Sequence, residues 1–387
     1  MKTNTFAILG SGMQGTAAAY DLARFCPTAH VILADADLAR SQAAADRVAR
    51  LVAGASIEAR AVNALSATEL TKLLTDVDVL LSCVPYWMHP LVADSAIASG
   101  THMCDLGGNT EITLRSLDKQ SDAVSGGVTL VPDCGLAPGL VNSLGMFLVE
   151  SMDVTESVRL YCGVLPQHPV LPFNYKLTFN IEGLVTEYDY QAVALRDGAI
   201  TMIDTLAELE PLEFEGFGTM EAFTTSGGTS TAPYTLKDRL RNYEYKTIRF
   251  PGHCERMRIF KDFGFWREDE VVVKGVSVRP KDVFNRVFGE ALGRIKDRDQ
   301  CLIRAIGEGQ TGGMPVKMQL DLHDREDEVT GFTSMERLTG FSISIIAQEI
   351  ADGGLPVGAI RYENAMSGTR FVEALARRGI VIHSTVS

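Results

Sequence analysis

The chain has 387 residues, 46% hydrophobic and 22% charged, which fits a folded protein of two or three domains. Lys plus Arg number 36 against 49 Asp plus Glu, a formal charge of −13 with no basic run, so neither nucleic acid nor a membrane surface is an expected partner. The seven cysteines form no C-x-x-C pair and no Cys/His group with metal spacing, and no cleavable signal pattern precedes the first strand; a reduced, cytoplasmic setting without a metal is expected.

From residue 5 to 133, apolar runs alternate with helical patterns. Strands are expected at 5–9, 30–35, 57–62, 78–84, 102–106 and 129–133, with helices at 13–25, 37–51, 67–75, 88–99 and 111–124. Continuous Val/Ile/Leu strands joined by helical crossovers predict a parallel sheet covered on both faces, a doubly wound Rossmann domain over 1–138. Beyond it, alternating segments at 157–165, 244–250, 271–278, 301–309, 316–324 and 328–337 predict a second α+β domain, 139–345. Its sheet should be mixed and largely antiparallel. Helices are expected there at 254–264 and 281–295, and hairpin connections at 196–198 and 307–313. Two further helical patterns, 341–352 and 364–377, form a C-terminal segment (346–387) expected to return to the first domain.

The first strand runs into Gly10-Ser11-Gly12-Met13-Gln14-Gly15 and a helix follows. Gly10 permits the tight turn, Gly12 lets a pyrophosphate approach the backbone, and Gly15 lets the helix pack closely on the strand. The helix N-terminus, with Met13 and Gln14, then faces the phosphates. Asp35 ends the second strand where an acid would hold a ribose 2′-hydroxyl, which favours NAD over NADP, although Arg40 five residues on could soften the preference. In such sheets ligands lie outside the carboxyl ends of the strands. Those ends read Cys83-Val84-Pro85-Tyr86, Asp105-Leu106-Gly107-Gly108-Asn109 and Asp133-Cys134-Gly135, so Cys83, Val84, Pro85, Leu106, Gly107 and Asp133 are further candidate cofactor contacts. Ordinary strand punctuation is the plainer reading of each Gly/Pro cluster taken singly.

Taken together, residues 10–15, CVP (83–85), DLGGNTE (105–111), PDCGLAPG (132–139), EAFTTSGGTS (221–230) and YEYKTIRFPGH (243–253) resemble the saccharopine-dehydrogenase-like superfamily, and within it the lysine 6-dehydrogenases. Saccharopine reductases are similar too, but typically carry an acid where Ala137 stands and an Asn-Arg-Asp run near TSGGTS. The resemblance implies NAD-dependent oxidative deamination of the lysine side chain at C6, giving 2-aminoadipate 6-semialdehyde, which cyclises. It also implies self-association as a homodimer or higher homo-oligomer. The alternatives are a saccharopine- or carboxynorspermidine-type dehydrogenase of secondary amines and, in another class, a non-catalytic dinucleotide-binding regulator.

That chemistry needs a neutral amine beside a positioned acid or base. Glu182, where saccharopine reductases are similar but carry Arg, is the first catalytic candidate; it could equally be a helix first-turn acid. Lys246 on the strand EYKTIRF could hold the substrate carboxylate or tune an acid, or could simply be a strand-face lysine. Asp105 could reach the amine or the cofactor, or cap its loop. Candidate substrate contacts are Tyr175, the TSGGTS residues Thr225, Ser226 and Thr229, and Arg249 and His253. His89, His102 and Cys134 are read as structural.

Overall fold

The computed structural model describes residues 4–387. In the first domain the strands are β1 (Asn4–Leu9), β2 (Ala29–Asp35), β3 (Ser56–Ala61), β4 (Val79–Ser82), β5 (His102–Asp105) and β6 (Thr129–Val131). The helices are α1 (Met13–Phe25), α2 (Leu38–Leu51), α3 (Ala67–Leu74), α4 (His89–Ser99), α5 (Thr110–Leu117) and α6 (Gln120–Gly126). All six strands are parallel in the order β3-β2-β1-β4-β5-β6, which is the doubly wound dinucleotide-binding order. Their central side chains are buried on both faces, as uninterrupted apolar runs require. The single helix expected over 111–124 is two: Asp118 and Lys119 separate them, and Gly127 in left-handed conformation ends the second.

The helix α7 (Leu140–Glu150) leads into the second domain, whose strands are β7 (Val154–Pro166), β8 (Ala192–Arg196), β9 (Ala199–Ile203), β10 (Glu210–Phe214), β11 (Gly218–Thr224) and β12 (Asn242–Arg249). The short helices α8 (Ile181–Asp189) and α9 (Ala232–Leu236) interrupt them, and α10 (His253–Asp262) follows β12. After the separate hairpin β13 (Val271–Val273) and β14 (Val276–Val278) come α11 (Pro280–Gly293), β15 (Asp299–Thr311) and β16 (Met314–Arg325). The main sheet runs β10-β11-β12-β7-β15-β16, with β8 and β9 set beside β12; only β12 and β7 pair in parallel. The hairpins at 196–199 and 311–314 turn on Asp197-Gly198 and Gly312-Gly313, all four at positive φ, the geometry of a two-residue loop.

The expected strand at 328–337 is instead the entry to α12 (Ser334–Ala351). Thr333 accepts from the Glu336 amide and Glu336 from the Thr333 amide, a reciprocal cap that starts the helix well before residue 341. This helix lies against α1, β4 and β5. The strand β17 (Gly358–Ala359) joins the first sheet beside β6, α13 (Gly368–Arg377) packs on α7, and β18 (Ile382–Val386) closes the second sheet against β16. One apolar core therefore runs continuously from the α1 face of the first sheet through α12 and α7 to the second sheet. A separate aromatic cluster, including Tyr175, Tyr188, Phe223, Trp266 and Phe284, fills the space beneath α8, α10 and α11. Among the described residues no helix is long and apolar enough to cross a membrane, and no group of three or more His, Cys, Asp or Glu is placed to hold a metal.

Candidate active site

The glycine turn is built as its chemistry demands. Gly10 has φ +101° and donates to the Ala34 carbonyl at 2.7 Å; a Cβ there would fall 2.6 Å from the Cys83 carbonyl oxygen. A Cβ on Gly15 would fall 2.0 Å from the Gly10 carbonyl oxygen, while one on Gly12 would meet nothing. The space before the N-terminus of α1 is thus open, and no side chain caps that terminus. Ser11 Oγ and Gln14 Oε1 are buried without a hydrogen-bond partner, while Met13 is exposed. Open amides, unpartnered polar atoms and glycines that admit close approach are what a pyrophosphate requires, so the residues present fit a dinucleotide. Asp35 accepts from the Ser11 amide at 3.0 Å and from the Asp37 amide at 3.1 Å, with Arg40 Nη1 3.8 Å away. This fixes its carboxylate beside the turn, where an acid can meet a ribose hydroxyl.

At the neighbouring strand ends Cys83 and Val84 are half-buried and Pro85 is exposed. Burial pushes the Cys83 thiol far above its ordinary range. Leu106 and Gly107 follow β5; Gly107 has φ +70°, and a Cβ there would overlap Asp133 Oδ1 at 2.1 Å. Asp105 is buried and accepts from the Gly107 amide at 2.8 Å and from the Asp133 amide at 3.2 Å, so its carboxylate organises this corner. His89 Nε2 stands 3.8 Å from it, and His89 Nδ1 meets Ser82 Oγ at 3.0 Å. Asp133 is also buried, at φ +65°, and accepts from Thr113 Oγ1 at 2.8 Å and from Ser230 Oγ of the second domain. Burial, and after it the charge of Asp105, pushes the Asp133 carboxyl up to about 7. Cys134 packs in the core, its thiol pushed up by burial.

Across from these ends stands α8. Asn180 caps it through the Gly183 amide at 2.7 Å, which sets Glu182 in the first turn, exposed and favoured by the helix dipole. Glu182 faces Tyr86: burial first, then the charge of Glu182, holds the Tyr86 phenol above its ordinary value. Tyr86 was legible only as the end of the CVPY run, and its meeting with Glu182 is a tertiary fact.

The pleat of β12 sorts the remaining candidates. Tyr243, Tyr245, Thr247 and Arg249 share one face, and Lys246 points to the other. Lys246 donates to the Glu208 carbonyl at 2.9 Å and pairs with Glu210 at 3.2 Å, so the structure does not bring it to Glu182. The TSGGTS hydroxyls are engaged within the domain: Thr225 with Thr247 at 2.7 Å, Ser226 with the Thr186 carbonyl at 3.0 Å, and Thr229 with the Val193 carbonyl at 2.8 Å. They shape the loop, and Ser230, which sequence reading passed over, is the one that crosses to Asp133.

Arg249 lies at the centre of a buried relay. Its Nε donates to Tyr188 OH at 3.0 Å, and Nη1 to the Ile248 carbonyl at 3.0 Å. Tyr188 OH meets His253 Nε2 at 3.1 Å, and His253 Nδ1 meets the Phe173 carbonyl at 3.2 Å. A carbonyl only accepts, so Nδ1 carries the proton, Nε2 accepts from Tyr188, and the tyrosine oxygen accepts from Arg249. Burial, and then the Arg249 charge, lowers His253 to about 3, which keeps it neutral. Tyr175 is buried against the Arg249 guanidinium, 5.0 Å from ring centre to Cζ. Glu187, absent from the sequence-derived candidates, has Oε2 3.8 Å from Arg249 Nη2, and burial raises it to about 7 against the pull of that guanidinium.

Residues 6–131 match the saccharopine dehydrogenase NADP binding domain, and residues 135–380 match the saccharopine dehydrogenase C-terminal domain. The chain is 25% identical over 283 residues to the saccharopine dehydrogenase [NADP(+), L-glutamate-forming] of Saccharomyces cerevisiae, covering 68% of this chain and 58% of that protein. It is 26% identical over 211 residues to the mitochondrial alpha-aminoadipic semialdehyde synthase of Bos taurus, covering 52% of this chain and only 22% of that one. Apo saccharopine dehydrogenase (L-Glu forming) from S. cerevisiae superposes with a TM-score of 0.79 at 18% identity, covering 99% of this chain and 100% of that one. Homospermidine synthase from Legionella pneumophila, solved in complex with NAD, superposes with a TM-score of 0.66 at 12% identity, covering 100% and 92%. These likenesses establish the shared fold, and with matches spanning both domains the chain belongs to the saccharopine dehydrogenase family.

Proposed function

We propose that this protein is an NAD-dependent dehydrogenase that deaminates the side chain of lysine at C6. The observation that carries the reading is the exposed Glu182, set in the first turn of α8 opposite Tyr86 beside the dinucleotide strand ends. A free carboxylate there suits a cationic substrate end, whereas an acidic substrate arm would call for a cation. Ala137, where the resembling saccharopine reductases carry an acid, points the same way. The bound dinucleotide supplies the acceptor for the hydride that leaves C6.

The protein's own groups have the other tasks. The substrate ammonium titrates near pH 10.4, and only the neutral amine can donate its lone pair as C6–H breaks. Glu182 attracts and orients the ammonium and passes its proton to solvent. The resulting C6 iminium takes up water and expels ammonia, leaving the aldehyde. Asp105 and Asp133 stay below Gly107 and hold the strand-end loops rather than the amine. Arg249 and Tyr175 suit the far, carboxylate end of an amino acid. Asp35 supports NAD, because an ionised acid at the ribose position repels a 2′-phosphate.

A secondary-amine dehydrogenase of the saccharopine type is the reading to test against, since the yeast relative carries that name. The purified protein should form NADH from lysine without 2-oxoglutarate, at a rate rising from pH 7 to pH 10, with a lower rate on NADP+. Turnover of saccharopine with none of lysine would transfer the chain to that second activity. Tight dinucleotide binding with turnover of neither would leave a regulator.

A further inference from the structure

Arg249 and Glu187 form an unusual pair. The guanidinium is almost buried, its side chain 5% accessible, and Nε and Nη1 are engaged by Tyr188 OH and the Ile248 carbonyl. Nη2 is left with Glu187 Oε2 at 3.8 Å, outside hydrogen-bond distance, and the Glu187 side chain remains 31% accessible. A buried arginine facing a carboxylate would ordinarily close to a short forked contact; here the two stand apart, with one partner open. Beside them Tyr175, 1% exposed, has a hydroxyl without a hydrogen-bond partner, and so does Thr178 at 5%. Burial holds the Tyr175 phenol above its ordinary value against the pull of the Arg249 charge, and the nearby Thr178 hydroxyl closes no bond of ordinary geometry with it. Buried hydroxyls left unpaired cost free energy, and such groups call for a ligand.

We propose that Glu187 and Arg249 receive the zwitterionic head of an α-amino acid, Arg249 with Tyr175 taking the carboxylate and Glu187 taking the α-ammonium. This deepens the reading of the chain as an amino-acid dehydrogenase and rests on it only for the identity of the side chain that reacts. Above about pH 7, where the Glu187 carboxyl is ionised, two opposite charges held slightly apart are complementary to a carboxylate and an ammonium on one carbon. The wall is rigid: Tyr188 and neutral His253 hold the guanidinium from behind, and the Ser226 amide fixes the backbone of α8 by donating to the Glu187 carbonyl at 2.9 Å. Tyr245, on the same strand face, lies in the field of both charges and stays neutral through burial. Glu187 thus sets specificity: a carboxylic acid without an α-amino group satisfies Arg249 but leaves Glu187 unpaired, and an amine without a carboxylate does the reverse.

The test is calorimetric titration of the full chain at pH 8 by L-norleucine, hexanoate and n-pentylamine; the first two carry no terminal amine, and NADH in place of NAD+ keeps the third from being oxidised. Norleucine should bind at least tenfold more tightly than either half-ligand. Glu187→Gln should lower norleucine affinity about tenfold and leave hexanoate unchanged; Tyr175→Phe, which removes no internal hydrogen bond, should weaken both alike. Equal binding of norleucine and hexanoate by the wild type, or an unchanged ratio in Glu187→Gln, would overturn the proposal. If norleucine is discriminated but lysine is not oxidised, the head site stands and the lysine reading falls. If lysine is oxidised but norleucine is not preferred, the opposite holds.

Discussion

Replacing Asp133 with Asn isolates the cost of an acid buried where the domains meet. In the folded chain burial and the neighbouring Asp105 raise its carboxyl from 3.8 to about 7. Between those two pH values the native protein keeps a proton that the unfolded chain has released. Stability therefore falls as pH rises through the window, and the penalty is complete above the folded value. Three units at 1.36 kcal/mol each set a ceiling of about 4 kcal/mol, which relaxation of the surroundings reduces to roughly 1–4. Asn is nearly isosteric with the protonated acid and tolerates the φ of +65°; its Oδ1 can accept from one of Thr113 and Ser230 while its Nδ2 donates to the other hydroxyl. Asp133→Asn should match the wild type within about 1 kcal/mol at pH 5 and exceed it by about 1–4 kcal/mol at pH 8. Urea unfolding at both pH values, followed by circular dichroism, measures the difference. A variant less stable than the wild type at pH 8, and more so than at pH 5, would refute the argument. It would mean that the carboxylate is ionised in the native state and stabilised by its two hydroxyl donors.

Gly15→Ala forces a Cβ to within 2.0 Å of the Gly10 carbonyl oxygen, a backbone contact that cannot yield. It should cost about 3 kcal/mol or abolish dinucleotide binding, read from thermal melting with and without NAD; an unaltered melt with full stabilisation by NAD would contradict the turn geometry. Asp35→Ala removes an acceptor from the Ser11 amide and the acid from the ribose position, so NAD affinity should fall and the NAD-to-NADP ratio should approach one. A ratio that did not move would show that the acid does not meet the ribose. Lys246→Met breaks the pairing with Glu210 and the bond to the Glu208 carbonyl, and should cost about 1–2 kcal/mol with kcat/KM for lysine changed less than threefold. A hundredfold drop in kcat with an unchanged melt would return this lysine to the site.

The first domain was readable because both of its signals are local. Strands buried on two faces need uninterrupted apolar runs, and the glycine turn needs three small residues whose spacing is set by a strand, a tight corner and a helix. The second domain was harder, since its strands alternate. Glu210–Phe214 and Gly218–Thr224 were not read as strands: the first turns only Leu212 and Phe214 inward among a proline and glutamates, and the second opens on Gly218 and Thr219 and buries its one acid, Glu221, against the expected alternation. Residues 328–337 alternate like a strand, yet Thr333-Ser334-Met335-Glu336 holds a capping-box spacing that outweighs the alternation. Lys246 and Arg249 lie an odd number of residues apart on one strand, so the pleat alone forbids them a common face; that inference was available from sequence. The partnership of Glu187 with Arg249 was not, because nothing local to α8 marks which strand it meets.

The two ends of the TSGGTS loop tie the strand ends of the first domain to α8 of the second. At one end Ser230, itself at φ +49°, reaches Asp133 beneath the cofactor loops. Asn142 at the start of α7 holds the Thr229 carbonyl at 2.9 Å while accepting from the Gly139 amide at 3.1 Å. At the other end Ser226 is bonded to α8 at the Thr186 and Glu187 carbonyls. Gly228 lies against the Tyr245 ring so closely that a Cβ would overlap it at 2.1 Å. A loop fixed at both ends and pressed in the middle has no soft hinge. A displacement of Asp133 is therefore expected to carry to α8, and with it to Glu182 and Glu187, because the packed loop between them leaves little slack. For the proposed reaction such rigidity serves hydride transfer, because a misplacement of about 1 Å between reacting atoms costs of the order of a hundredfold in rate.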